Sequence, residues 1–196
     1  MAEHRIRQGL DLPISGKPTQ SISDANTVTQ VALIGRDYPT MKPRMHVKEG
    51  DVVKRGQLLF EDRKTEGVCF TAPAAGTVQA VNRGEKRSFQ SLVISLDSDS
   101  QEQVDFEAYK GTEVSALQGD DVRALLSESG LWTSIRTRPF SRIPSPTSTC
   151  DALFITAIDT NPLAASVNVV MEGREKAFMA GLQAAKLLTE GKTYLC

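Results

Sequence analysis

The sequence predicts a mixed α/β chain: a small barrel or sandwich of short strands, followed by the start of a parallel α/β unit. Three observations carry this. Residues 45–80 hold two glycine-cornered strand pairs that can face each other. Residues 97–121 turn acidic and lose their apolar runs. Beyond them, an apolar run at 152–158, a helical period at 172–190 and a second apolar run at 193–196 give the order strand, helix, strand.

Residues 9–18, GLDLPISGKP, alternate apolar and polar side chains. Pro13 and Pro18 lack the amide protons a central strand needs, so the segment is expected as an extended edge piece. The β-branched run at 28–34 predicts a strand, and residues 35–39 turn the chain while carrying the aromatic Tyr38. Pro43 punctuates the entry to the hairpins. Turns at Gly50 and Gly56 bracket Val52 and Val53, and Leu58, Leu59 and Phe60 make the next strand. After the polar corner at 62–67, Val68, Cys69, Phe70 and Thr71 supply a β-branched and aromatic run. Pro73 and Gly76 turn it into the alternating run at 77–81. Residues 82–90 form a charged hairpin whose tip, with Lys86 and Arg87, is read as solvated, and 92–96 is its return strand.

The spacing V-x-E-G-D-x-V-x-x-G-Q-x-L at 47–59, followed by x-A-P-x-x-G-x-V at 71–78, resembles the flattened barrel, a barrel-sandwich hybrid, of biotinyl and lipoyl carrier domains. In lipoyl carriers the modified lysine rides the exposed hairpin. Here the gap from Gly56 to Pro73 is one residue shorter, Glu66 stands in the lysine's place, and Lys64 comes two residues early. The barrel is therefore expected to be a structural or docking module, with a carrier modified at Lys64 as an alternative.

Residues 1–100 are assigned to the barrel with its N-terminal extended piece, 101–120 to a linker, and 121–196 to a partial α/β domain. Gly119, Asp120 and Asp121 mark a helix start, leucines share one side of 122–129, and Gly130 sits where a left-handed cap is wanted. The loop at 132–144 holds the only tryptophan, three arginines and two prolines. Arginines and aromatics on a loop are common material for recognition. A solvated basic loop whose tryptophan plugs the seam between domains is the equal alternative. The run at 152–158 is expected as a buried parallel strand.

A net charge of −1 gives no global pull toward nucleic acid or anionic lipid. No run approaches the roughly 18 apolar residues of a membrane span, and the N-terminus has no apolar signal core, so a cytosolic or membrane-peripheral place is expected. Cys69, Cys150, Cys196, His4 and His46 make no metal-ligand set at recognised spacing. Cys69 is expected to behave as a small apolar group, and Cys150 as an inert loop thiol. No carboxylate pair, Ser-His-Asp set or Cys-His pair stands at useful spacing, so independent catalysis is not expected.

Taken together, GLDLPISGKP at 9–18, VKEGDVVKRGQLLFED at 47–62, FTAPAAG at 70–76, NRGEKR at 82–87, RTRPFSRIP at 136–144 and AIDTNPLAA at 157–165 resemble the A subunit of the bacterial sodium-translocating NADH:quinone oxidoreductases. The resemblance implies a peripheral subunit on the cytoplasmic side of the inner membrane. Its partners would be the other subunits, especially the membrane-embedded ones, of a complex that couples NADH oxidation and ubiquinone reduction to sodium export. It also implies a lipoyl-like barrel, then a Rossmann-like domain, a β-grasp domain and a helical tail. The last two have no counterpart in the sequence, so the chain is expected to stop inside its second domain and to be inactive alone.

Relatives of the Rnf and complex I type carry a glycine-rich flavin loop, G-G-A-G-F-P, after the corresponding short helix. Here that stretch is GLWTSIR at 130–136, whose side chains would block the close backbone approach that flavin phosphate and nicotinamide need. The chain is accordingly expected to bind neither FMN nor NADH, with flavins and iron centres left to other subunits. The family's association with ubiquinone leaves a quinone as substrate. Were the turn at 35–41 to meet the loop at 132–142, Tyr38, Met41, Trp132, Arg138 and Phe140 would supply an aromatic wall and donors. A redox-silent scaffold that docks on the membrane subunits is the alternative.

Overall fold

The structure, a computed structural model, describes residues 13–97 and 100–196. His4 and the beginning of the 9–18 segment lie outside the described residues. The rest of that segment is not an edge strand, because Pro13, Pro18 and a left-handed Gly16 interrupt any ladder. Pairing starts where the Leu96 amide donates to the Thr29 carbonyl at 2.8 Å.

Seven strands follow: β1 (Gln30–Ile34), β2 (Pro43–Met45), β3 (Val52–Val53), β4 (Leu58–Asp62), β5 (Cys69–Thr71), β6 (Gly76–Arg83) and β7 (Phe89–Leu96). They pair antiparallel in two sheets, β1-β7-β6-β3 and β2-β4-β5. Alternation decides which side chains point inward. Val53, Val78, Leu92 and Ile94 come from one sheet and Leu59, Phe60 and Phe70 from the other, all almost fully buried in one cluster. Phe60 stacks on Phe70 at 4.6 Å and meets the edge of Phe89 at 5.1 Å. The A-P-x-x-G corner needs its glycine for room: a Cβ on Gly76 would lie 2.1 Å from the Ser95 carbonyl oxygen. These two facing sheets are the expected barrel-sandwich hybrid.

Residues 102–104 run back along the barrel, with the Arg55 amide donating to Glu102 and the Val104 amide to Arg55 at 3.0 and 2.9 Å. Helix α1 (Gly119–Glu128) then begins at a capping box between Gln118 and Asp121, three residues before the helix the sequence predicts. Gly130 ends it at φ +78°, as its position after the helix requires. A 3₁₀ turn, Leu131–Ser134, carries Trp132 into the barrel cluster.

The chain closes with β8 (Ala152–Ile155), α2 (Val167–Met171), α3 (Glu175–Lys186) and β9 (Lys192–Leu195). β8 and β9 are parallel, as strand-helix-strand order predicts. The expected buried strand at 152–158 is shorter and half open, however. Phe154 is 63% exposed and Ile158 53%, because a two-stranded sheet has no covering layer on that face among the described residues. The Phe154 and Tyr194 rings cover each other instead, stacked at 4.9 Å.

Arg123 of α1 ties this second unit together. Its guanidinium donates to the carbonyls of Pro146 at 2.8 Å, Ser148 at 3.0 Å and Leu188 at 2.7 Å, and lies 5.6 Å from the Trp132 ring centroid. Replacing Arg123 by Ala leaves three carbonyls without this donor and uncovers the indole. We expect a stability loss of about 2–3 kcal/mol in urea denaturation followed by far-UV circular dichroism, part of it recovered in Arg123→Lys.

Candidate functional site

The turn at 35–41 and the segment after α1 do meet. Tyr38 sets its ring edge-on against Phe70 at 4.7 Å, and the Arg136 guanidinium lies 5.5 Å from the Tyr38 ring centroid. Arg136 is held there by the Asp37 carbonyl at 3.2 Å and by the Thr133 carbonyl. On the barrel side, the Thr71 hydroxyl donates to the Ser129 carbonyl at 2.8 Å, which docks the end of α1 on β5.

Between these parts lies an open cleft of about 500 Å³, within the ordinary range of small-molecule sites. Tyr38, Phe106 and Leu131 give it apolar and aromatic walls above the buried Phe70, while Thr71 and Thr133 place hydroxyls in them. Arg55, linked to Gln103, stands on the lining as well. Leu131 is 60% exposed, so this wall is an apolar side chain held open to solvent rather than part of the core.

The five residues named from the sequence separate into different places. Tyr38 lines the cleft. Met41 lines a second, smaller cavity with Arg142 and Ile143. Trp132 lines neither cavity: it is 3% exposed, and its Nε1–H donates to the Pro144 carbonyl at 2.8 Å. Its large apolar area is taken up by the core, which is the plug between barrel and second unit that the sequence left as an alternative. Phe140 is 71% exposed beneath Arg142, whose guanidinium lies 5.5 Å from its centroid, and neither it nor Arg138 faces the cleft. Arg55, Thr71, Phe106, Leu131 and Thr133 are among the cleft residues that the sequence does not single out. The strand run at 68–71 and the cap at Gly130 each carried a signal for structure, and none for what they would face.

Known proteins share both halves of this chain. A family model described as the NqrA N-terminal barrel-sandwich hybrid domain matches residues 4–97, and one described as the NqrA second alpha/beta domain matches residues 117–196. The A subunit of the Na(+)-translocating NADH-quinone reductase of Vibrio anguillarum is 50% identical over 191 residues, 97% of this chain and 42% of that protein. That of Marinomonas sp. (strain MWYL1) is 54% identical over 193 residues, 98% of this chain and 43% of that protein. The chain belongs to the A-subunit family of these reductases. It spans less than half the length of the curated relatives it matches.

In this member of the A-subunit family the polar groups of the cleft are not equivalent. Burial pushes the Tyr38 phenol above its ordinary pKa and the Asp37 carboxylate adds to this, while Arg136 and the nearby Thr133 hydroxyl pull the other way. Tyr38 thus stays a neutral hydrogen-bond donor. Cys69, half-buried on the neighbouring strand, is also pushed up by burial, then by Glu61 and Glu128, so its thiol is a poor nucleophile. Among the described residues no three His, Cys, Asp or Glu side chains gather as a metal set, and no helix is long and apolar enough to cross a membrane.

The raised phenol makes stability depend on pH. Between its ordinary and its raised pKa the folded protein keeps a proton that the unfolded chain has released. Its contribution to stability is therefore constant below about pH 9 and falls as pH rises through that window. Ultraviolet difference titration of the folded chain against Tyr38→Phe should show that the missing phenolate component has its midpoint above the ordinary tyrosine value of about 10.

Proposed function

We propose that the chain acts as a peripheral, cytoplasmic-side component of a membrane respiratory complex that couples NADH oxidation and ubiquinone reduction to sodium export, and that its own part is to bind quinone in the cleft beside Tyr38. The curated relatives are named as the A subunits of Na(+)-translocating NADH-quinone reductases, which supports the complex and its other subunits as partners. The cleft carries the quinone part of the reading. A planar head group with two carbonyls suits the ring of Phe106, the side of Leu131 and the neutral Tyr38 donor, and the volume accommodates it.

The test is a titration of the 196-residue chain with a short-chain ubiquinone, read by Trp132 fluorescence, Trp132 being the only tryptophan and adjacent in sequence to two cleft residues. Saturable quenching is expected, weakened about tenfold in Tyr38→Leu, the equivalent of one lost hydrogen bond and ring contact. Without saturation the redox-silent scaffold reading takes over. A specific observation favours that second reading: Phe154, Tyr194 and Leu195 leave an apolar face exposed, material for docking against another polypeptide.

Flavin and nicotinamide chemistry is assigned to other subunits. The stretch at 130–136 does not fit a phosphate loop: a Cβ on Gly130 would already lie 2.7 Å from the Thr71 hydroxyl, and after it come Leu131, the buried Trp132 and Thr133, with no further glycine. Purified chain incubated with FMN and desalted is expected to show no stoichiometric flavin absorbance. A carrier role for Lys64 is disfavoured as well, since its Nζ is held 2.9 Å from the Thr40 carbonyl and Gly67 on the same turn packs against Pro146.

A further inference from the structure

The turn joining β4 and β5 meets the loops at 39–41 and 142–143 around a separate cavity of about 250 Å³. Its charged walls are Lys64, Arg142 and Asp62, and Thr40 and Thr65 bring hydroxyls. The three charges are not equally available. The Asp62 Oδ1 accepts the backbone amides of Lys42 at 3.0 Å and of Lys64 at 3.1 Å, so this carboxylate oxygen is occupied by the turn it caps. Lys64 uses one Nζ proton on the Thr40 carbonyl. Arg142 lies over the Phe140 ring, and among the described residues neither Lys64 nor Arg142 forms an ion pair.

Thr40 adds an independent observation. Its φ of +70° is a left-handed conformation that L side chains rarely adopt, and this residue supplies the carbonyl that fixes Lys64 at the cavity. The net charge of −1 for the whole chain conceals this local excess of cations beside hydroxyl donors. A planar guanidinium, an ammonium and two hydroxyls around a small open cavity match the donor needs of a tetrahedral oxyanion.

We propose that this cavity binds a phosphate group, with Arg142 and Lys64 as its charged donors. Two sources offer that chemistry, a soluble phosphoester and a phospholipid headgroup. The second would use Phe140, exposed next to Arg142, as an interfacial side chain.

The experiment titrates the 196-residue chain with inorganic phosphate at constant ionic strength while backbone amide resonances are followed. Saturable shifts confined to residues 39–42, 62–65 and 140–143 are expected, with affinity at least about tenfold weaker in a Lys64→Gln, Arg142→Gln double variant. Lys86→Gln with Arg87→Gln on the β6–β7 tip should leave it unchanged. Both lysine and arginine side chains are on the surface, and the Trp132 emission of each variant verifies its fold. Sedimentation with phosphatidylglycerol against phosphatidylcholine vesicles assigns the source. Vesicle binding that phosphate competes away and Phe140→Ser weakens points to a headgroup; phosphate binding without vesicle binding points to a soluble ester. Either outcome supports the site. No saturation with phosphate and no binding to phosphatidylglycerol vesicles, or binding that the double variant retains, overturns it.

Discussion

The arrangement of the molecule depends on the burial of Trp132. The indole leaves a 3₁₀ turn after α1 and enters the same apolar cluster as Phe60, Phe70 and Leu92 of the barrel and Leu188 beyond α3. Burying an aromatic of this size removes roughly 150–250 Å² from water. At about 25 cal/mol/Å² that is worth at most about 4–6 kcal/mol, more than the single hydrogen bond from Nε1 to Pro144 contributes. The apolar term decides where the segment sits, and the hydrogen bond decides how the ring is turned. Arg123 closes the other side of the ring and ties it to three carbonyls, so the plug cannot rotate without breaking the second unit's own bonds.

The wall of the cleft that follows α1 inherits that fixed point. With Trp132 seated, Leu131 and Thr133 on either side of it must face the barrel at Thr71 and Phe70, and Arg136 falls over Tyr38. The turn at 35–41 is then clamped between β5 and the arginine. A binding wall built this way is preorganised, because its side chains are oriented by a core residue and by backbone carbonyls rather than by a ligand.

How much of this could be read from the sequence follows from which interactions are local. The barrel was legible because glycine corners and period-two runs are local signals, and Gly76 and Gly130 stand where a close approach and a left-handed cap demand them. The partners of those elements were not legible. Phe106 faces the cleft and Phe70 stays in the core through contacts between segments far apart in sequence, and neither lies in a pattern that distinguishes a core ring from a site wall. The residue type of Trp132 suits a site wall and a core plug equally, and only the tertiary context separates the two. The exposure of β8 was hidden for the opposite reason. Its apolar run implies a covering layer, and sequence periodicity carries no information on whether one is present. α2 was missed because Val167, Asn168, Val169 and Val170 are weak helix formers.

The two cavities show why residue type alone does not assign a role to an arginine. Arg136 and Arg142 lie six positions apart in one loop, and both rest on an aromatic ring. Arg136 has its donors answered by the carbonyls of Asp37 and Thr133, so its charge is used in holding the turn at Tyr38, where a further anion would have to displace an existing bond. Arg142 has no such carbonyl partner among the described residues and opens onto a cavity with a second cation. Unsatisfied donors are what a ligand can gain from binding, so the apolar cleft and the cationic cavity select different chemistry. Under the two proposals, the first offers ring surface and a neutral phenol to a planar carbonyl compound, and the second offers charge to an oxyanion. The short turn at 35–41 separates them, with Tyr38 on one side and Thr40 and Met41 on the other.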